Sequence, residues 1–280
     1  MKFLERLSRY EEEFTRSQQA IAAYMREHVE SIAFSNLETL SHQIGVSTTT
    51  VIRFSRTIGY SGFSDMQAAV QEEIQQKAAL PERLEGLGQG SSNQMLMAAF
   101  EMDMDNLRMT LAAQNDADLQ KAADWVTGAG SIYVLGMRSS FSVAYYMATR
   151  LGEIKKNVRF IQSTGMLYPE EIVGAEPGDV CIAYLFPRYS RTATGILQWM
   201  RERGVKVILI TSMNSAGVQS FGDLVLPCAI QSASYKNSLT APICLTNYLV
   251  AEFARRNYEE AREVLSRTES ILNSGYYLGL

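Results

Sequence analysis

Four stretches of this chain combine hydroxyl and guanidinium side chains at spacings that could bind phosphate or DNA. GMRSS (136–140) brings Arg138, Ser139 and Ser140 behind Gly136, and FPRYSRTAT (186–194) adds Arg188, Tyr189, Ser190, Arg191 and Thr192. Each follows an apolar run and precedes a helical pattern. A serine there can cap the helix, whose free N–H groups and positive dipole end suit a phosphate. Arginine adds a charged fork for the same anion. YKNSLT (235–240) is a third polar stretch, with Ser238 at the start of another helix. The fourth, STTTVIRFSR (47–56), reads differently. At 100° per residue Val51, Phe54 and Ile58 share one side, while Thr49, Ile52, Arg53 and Arg56 lie roughly opposite. Arginines on the outward face could pair with guanine or phosphate, and Ser47, Thr48 and Thr49 occupy a first turn that favours phosphate.

Other chemistries fit poorly. The only histidines, His28 and His42, fall in the first sixth of the chain, which leaves the remainder without the commonest general acid–base. Glu153, Glu170 and Glu171 are candidate bases, but none stands in a recognisable catalytic arrangement, so no catalytic residue is assigned. Cys181, Cys228 and Cys244 have no metal-ligand spacing, and their odd number does not suggest a disulfide framework. No metal or cofactor is expected, and a reduced cytoplasmic setting is. The bland alternatives are a small helical bundle with two solvated arginines, and serines that merely cap helices.

The elements that must position these residues follow from pattern and punctuation. The chain has 280 residues, 46% hydrophobic and 20% charged, enough for one or two cores. Its net charge of −4 and pI near 5.4 do not advertise a nucleic-acid binder. Apolar runs such as Val207 to Ile210 are too short to span a bilayer, and the N-terminus lacks a signal-peptide core. KAALPERLEGLGQGSSNQ (77–94) separates two textures. Before it the pattern is helical. Ile21, Met25 and Val29 share a helix face; Leu37, Leu40 and Ile44 share another, capped by Asn36 and ended by Gly45. Ser47 caps the next helix and Gly59 closes it, before a fourth helix in GYSGFSDMQAAVQEEI. Short helix, glycine turn and capped helix make a helix-turn-helix. Acidic residues are absent from Ser41 to Tyr60, although residues 1–80 hold ten acidic and eight basic residues.

After the break, helices at 93–113 and 116–127 precede a strand at 131–135, with further strands at 158–161, 179–186, 206–210 and 223–228. Helices fit at 140–152, 165–174 and 190–203, and from 238 onward. Five short apolar strands with helical crossovers predict a three-layer, flavodoxin-like α/β sandwich on a parallel sheet, with ligands beyond the carboxyl ends of the strands. We therefore expect an all-α helix-turn-helix domain (1–77), a linker (78–94) and an α/β domain (95–280). The five methionines between 95 and 109 suggest a soft core or a subunit seam.

IGVSTTTVIRFSRTIGYSGFSDMQ resembles the helix-turn-helix of RpiR/MurR-type transcriptional regulators, with the glycines, Arg53-Phe54 and Gly62-Phe63 in register over about residues 3–77. Residues 93–257 resemble the sugar isomerase (SIS) domain that follows it in those regulators. Gly136, Ser139 and Ser140 fall on that family's G-x-x-S phosphate loop. FPRYSRT resembles a variant of the S-x-S-G-x-T loop: Tyr189-Ser190 replaces the Ser-Gly pair, and Thr192 matches the phosphate-binding threonine. The resemblance implies double-stranded operator DNA as partner, a phosphorylated sugar effector bound without metal, and homodimers or homotetramers assembled through SIS domains. A phosphosugar isomerase with a helical appendage, and a sensing adaptor whose helical domain binds protein, are the alternatives.

Overall fold

The computed structural model describes residues 3–29, 32, 35–67, 69, 70, 80–85, 91–163, 166–213, 215 and 217–276. The chain divides into two compact units, residues 1–89 with 214–220, and residues 90–213 with 221–280. The end of the expected fourth helix and part of the expected linker (78, 79 and 86–90) lie outside the described residues. Within that linker, Leu80–Glu85 is a short helix.

The N-terminal unit is all-α. Helices Phe3–Arg9, Arg16–Glu27, Leu37–Ile44 and Thr48–Thr57 and a helical segment at 63–67 enclose one apolar core that includes Leu7, Ile21, Met25, Leu40, Val51, Phe54 and Ile58. Asn36 and Ser47 cap their helices by accepting from Thr39 N and Thr50 N. Gly45 turns left-handed at φ +78°, with Val46 N bonded to Ser41 O and Gly45 N to His42 O. The same pair of bonds recurs after the next helix, Tyr60 N to Ser55 O and Gly59 N to Arg56 O, with Gly59 at φ +87°. Both ends are Schellman caps, which close orphan carbonyls where only glycine adopts the backbone without strain. Arg6 reinforces the second: its guanidinium donates to Gly59 O at 2.9 Å and lies over the Tyr60 ring. One expectation shifts. Ile52 is half-buried and packs against the core, so the outward face is narrower than the wheel suggests.

The C-terminal unit is a three-layer α/β sandwich. Its parallel sheet contains β1 (Ile132–Gly136), β2 (Val158–Ile161), β3 (Val180–Leu185), β4 (Lys206–Ser212) and β5 (Leu224–Cys228), in the order β2-β1-β3-β4-β5. β1 and β3 are buried at every position, whereas edge strand β5 alternates between buried and half-buried residues. That contrast is expected when only the inner strands are covered on both faces. Alternate residues, among them Ile132, Val134, Ile182, Tyr184, Ile208 and Leu226, form a core with helices Asp116–Gly128, Ser140–Gly152 and Thr240–Arg256. Helix Arg191–Glu202 packs on β3 and β4 and buries Ile196, Leu197 and Met200. Tyr184 ties sheet to helix through a 2.6 Å bond between its hydroxyl and that of Thr246.

The two ends of the sheet are chemically unlike. At the amino ends, buried Asp179 accepts from Ser131 N and Glu176 N, and Asp223 accepts from Val207 N. At the carboxyl ends the loops hold arginines and hydroxyls. The 22-residue helix Ser92–Ala113 runs beside β5, and four of its methionines are exposed rather than core.

The two left-handed glycines separate conformational from steric cost. Gly45 has open space where a Cβ would project, whereas at Gly59 a Cβ would lie 2.9 Å from Arg6 Nη1. Gly45→Ala should cost about 1 kcal/mol and Gly59→Ala about 2 kcal/mol, through strain plus the displaced arginine. Denaturant unfolding of the two variants measures this order; equal losses would refute the role given to Arg6.

Candidate functional site

The recognition-helix candidate is Thr48–Thr57. Ser47 Oγ accepts from Thr50 N and lies 2.7 Å from Thr50 Oγ1, so this serine is committed to the helix start. Thr49, Arg53 and Arg56 are exposed and Thr48 is half-buried. Arg56 donates its Nε–H to Ser61 O and so holds the turn, which leaves its terminal nitrogens to be presented. That geometry suits a phosphate contact for Arg56 and leaves Arg53 as the better base reader. His28 is bonded to Tyr24 O and stacked on the Tyr24 ring.

In the C-terminal unit, the loops after β1 and β3 converge. These strands are neighbours, at the point where the order of the sheet reverses. In a doubly wound sheet that reversal opens a crevice beyond the carboxyl ends. Ser190 bridges the two loops by donating to Met137 Sδ at 3.2 Å, while its Oγ accepts from Ala193 N as the N-cap of helix Arg191–Glu202. Tyr189 Oη lies 3.4 Å from Ser212 Oγ at the end of β4. Arg138 and Arg188 both adopt left-handed backbone, at φ +57° and +67°. Neither is a glycine, so each loop holds its arginine at a conformational cost. Residues 136–142 and 186–194 contain three arginines and no acid. Ser139, Arg188, Arg138 and Thr192 are exposed, and Ser190 and Tyr189 are half-buried.

Two expectations change. The first concerns capping at helix Ser140–Gly152: Ser139 has helical backbone and caps nothing with its side chain, and Ser140 is buried. The turn is closed instead by Ser140 N to Met137 O and Phe141 N to Arg138 O, made possible by the left-handed Arg138. The second concerns Gly136. Its glycine character comes from close approach: a Cβ there would lie 2.5 Å from Ala144 Cβ and 2.6 Å from Ser140 O.

Ser238 is not brought to these loops by any of its hydrogen bonds. Its hydroxyl donates to Asp103 Oδ1 at 2.5 Å, and Thr240 Oγ1 donates to the same carboxylate. An anion there would meet a carboxylate. Met137 and Ser212 were not singled out in the sequence; Ser212 was legible as a polar residue ending a buried strand, and Met137 gave no signal.

Two of the three candidate bases are engaged elsewhere, and Glu170 is exposed. Glu153 is paired with Arg150, and Glu171 accepts from Ser163 N. Burial pushes the Cys181 thiol up and that of Cys228 up to about 12, so neither offers a thiolate near neutrality. Among the described residues no cluster of His, Cys, Asp and Glu could hold a metal ion, and no helix is long and apolar enough to cross a membrane.

The tight approach at Gly136 is testable. Gly136→Ala should cost about 2–3 kcal/mol, because the β1 loop must move off the helix. Gly195→Ala, where a Cβ meets open space within a helix, should be neutral or stabilising by up to about 1 kcal/mol. Thermal unfolding compares the two; a Gly136→Ala melt no lower than wild type would rule out the close approach.

Comparison with known proteins agrees with this geometry. Residues 1–77 match the helix-turn-helix domain of the rpiR family, and residues 126–252 match the SIS domain. An uncharacterised HTH-type transcriptional regulator of Caldanaerobacter subterraneus subsp. tengcongensis is 23% identical, with 93% of each chain covered. Another, from Clostridium perfringens, is 23% identical over 98% of this chain and 100% of its own. Among solved structures, the sugar isomerase domain of an RpiR transcription factor from Sphaerobacter thermophilus is 25% identical, with a TM-score of 0.60 over 63% of this chain and 99% of that one. Vibrio vulnificus NanR, 19% identical, covers 99% of both chains with a TM-score of 0.66. The chain is thus a transcriptional regulator of the RpiR type, a helix-turn-helix domain followed by a SIS domain.

Proposed function

We propose that this regulator binds operator DNA through helix Thr48–Thr57 and that a phosphorylated sugar in the β1/β3 crevice modulates the binding. The observation that carries the ligand half is the junction of two arginine- and hydroxyl-bearing loops at the switch point, joined by Ser190 and Met137. The phosphate sits among Arg138, Ser139, Arg188, Ser190 and Thr192; Ser140 and Tyr189 shape the walls, and Ser238 is left out. Vibrio vulnificus NanR was solved in complex with ManNAc-6P, which supports a phosphosugar as the ligand class. The site binds and does not turn over its ligand: no histidine occurs after residue 42, and Glu153 and Glu171 are engaged elsewhere. Two recognition helices of a homo-oligomer assembled through the SIS domains enter successive major grooves of a near-palindromic operator, in the cytoplasm. The effector acts by binding the two DNA-affinity states unequally.

Each half has its own test. Arg53→Ala should raise the operator Kd roughly tenfold or more and relax base preference, whereas Arg56→Ala should weaken all sequences alike and lower the salt slope by about one. Fluorescence anisotropy on specific and scrambled duplexes separates the two; specific binding unchanged by Arg53→Ala would contradict the assigned recognition face.

For the ligand half, calorimetry with a panel of sugar phosphates is the assay. Thr192→Val should raise the Kd of the compound that binds by about tenfold, the loss of one charge-assisted hydrogen bond, with the melting temperature preserved. Wild-type affinity in Thr192→Val would remove this residue from the site. Steady turnover of any bound phosphosugar would overturn the non-enzymatic reading.

A further inference from the structure

Helix Ser92–Ala113 is amphipathic in an inverted sense. Its buried side chains are polar and bonded. Asn106 Nδ2 donates to Gln231 O while its Oδ1 accepts from Gln231 N, and Thr110 Oγ1 accepts from Ala229 N. Asp103 accepts from Ser238 and Thr240. Asn106 and Thr110 are its only buried residues. These bonds fix the rotation of the helix against the strand that ends the sheet.

One apolar stripe of the helix lies about 100° further round, with Met95, Met102 and Met109 on the opposite flank. Met97, Phe100, Met104, Leu107 and Leu111 follow one another at alternating spacings of three and four, the heptad repeat of a two-helix seam. Most of them stand open to solvent, with Met97 54% exposed, Phe100 66% and Leu111 78%, and Leu107 is half-buried. With Leu96 alongside, the stripe offers on the order of several hundred Å² of apolar surface. That reaches the largest patch a monomer ordinarily leaves open and approaches the ~800 Å² per partner of a stable interface.

The charges beside the stripe choose the occupant. Glu101 and Arg108 flank it on the side away from the docked face, and both face solvent. The midpoint between them falls beside Met104, near the centre of the seam. A second copy laid antiparallel about that point sets Glu101 of each helix against Arg108 of the other, and Phe100 against Leu107 and Leu111. A parallel pairing would instead set these two positions beside Leu96 and Asp103 of the other copy, and Asp103 is already bonded to Ser238 and Thr240. Arg108 now bonds to exposed Asp105, an interaction weak enough to exchange. An isologous interface needs one patch complementary to itself under a two-fold axis, and this patch is.

We infer that helix Ser92–Ala113 pairs antiparallel with the same helix of a second copy, through a heptad seam centred beside Met104. The inference deepens the homo-oligomer proposed above by naming its contact, and rests on that proposal only for the relevance of the two-fold to DNA.

Sedimentation velocity of the full chain tests it. Wild type should be at least a dimer at micromolar concentration. Phe100→Asp combined with Leu111→Asp should raise the dissociation constant at least about 100-fold, and so halve the assembly mass, with the circular dichroism spectrum unchanged because both residues face solvent. Glu101→Arg alone should weaken association about tenfold, and adding Arg108→Glu should restore it. A monomeric wild type, or an unchanged mass in the double aspartate variant, would overturn the seam. Failure of the double charge reversal to restore association would overturn the antiparallel pairing. The readout is mass alone. A wild-type dimer that ignores DNA and phosphosugar would therefore sink the functional proposal and leave the seam intact.

Discussion

The C-terminal unit is organised by the order of its five parallel strands. Because β1 lies beside β3 rather than at an edge, the chain leaves their carboxyl ends toward opposite faces, into helix Ser140–Gly152 on one side and helix Arg191–Glu202 on the other. Backbone that diverges in this way leaves a crevice that no side chain of the sheet can fill. The details around it serve that geometry. Gly136 lets the first helix approach to a distance that any Cβ would block, Ser190 closes the second helix while touching Met137, and two arginines accept left-handed backbone. At the opposite, amino ends of the strands, buried Asp179 satisfies backbone N–H groups instead, as does Asp223, which is paired with Arg201.

Much of this was legible in the sequence, for a common reason. The strands, the caps at Asn36, Ser47 and Ser190, and the left-handed Gly45 and Gly59 are set by residues within a few positions of one another. Local rules reach that far. The failures occur where partners are remote or the backbone departs from its usual basins. Ser238 looked like a helix-start anion ligand until Asp103, 135 residues earlier, took its hydroxyl. Ser139 and Ser140 looked like caps because nothing local reveals that Arg138 turns left-handed and closes the turn with main-chain bonds. Met137, a bridge between the loops, carries no polar signal at all. Ile52 moved inward because its neighbours in space come from other helices of the unit.

The helical unit meets the demand for a precisely held side chain in another way. Schellman caps at both ends of the turn-and-helix segment, with Arg6 clamped on the second, restrict the backbone on which Arg53 and Arg56 stand. Rigid presentation reduces the ordering cost of binding. On the proposed function, the effector would then act by changing how two such helices are disposed rather than by remodelling either one. The inverted helix Ser92–Ala113 belongs to the same logic: its polar bonds cover the sheet edge at β5 and leave its apolar seam outward.

The central claim is that a phosphate-bearing sugar in the β1/β3 crevice changes the affinity of Thr48–Thr57 for DNA. Its most direct test is the operator Kd, measured by fluorescence anisotropy at fixed salt, with and without saturating sugar phosphates and their unphosphorylated counterparts. The account predicts that one sugar phosphate shifts the Kd by about fivefold or more while its dephosphorylated form leaves it unchanged. An operator Kd indifferent to every phosphosugar, or moved equally by a sugar lacking its phosphate, would contradict it.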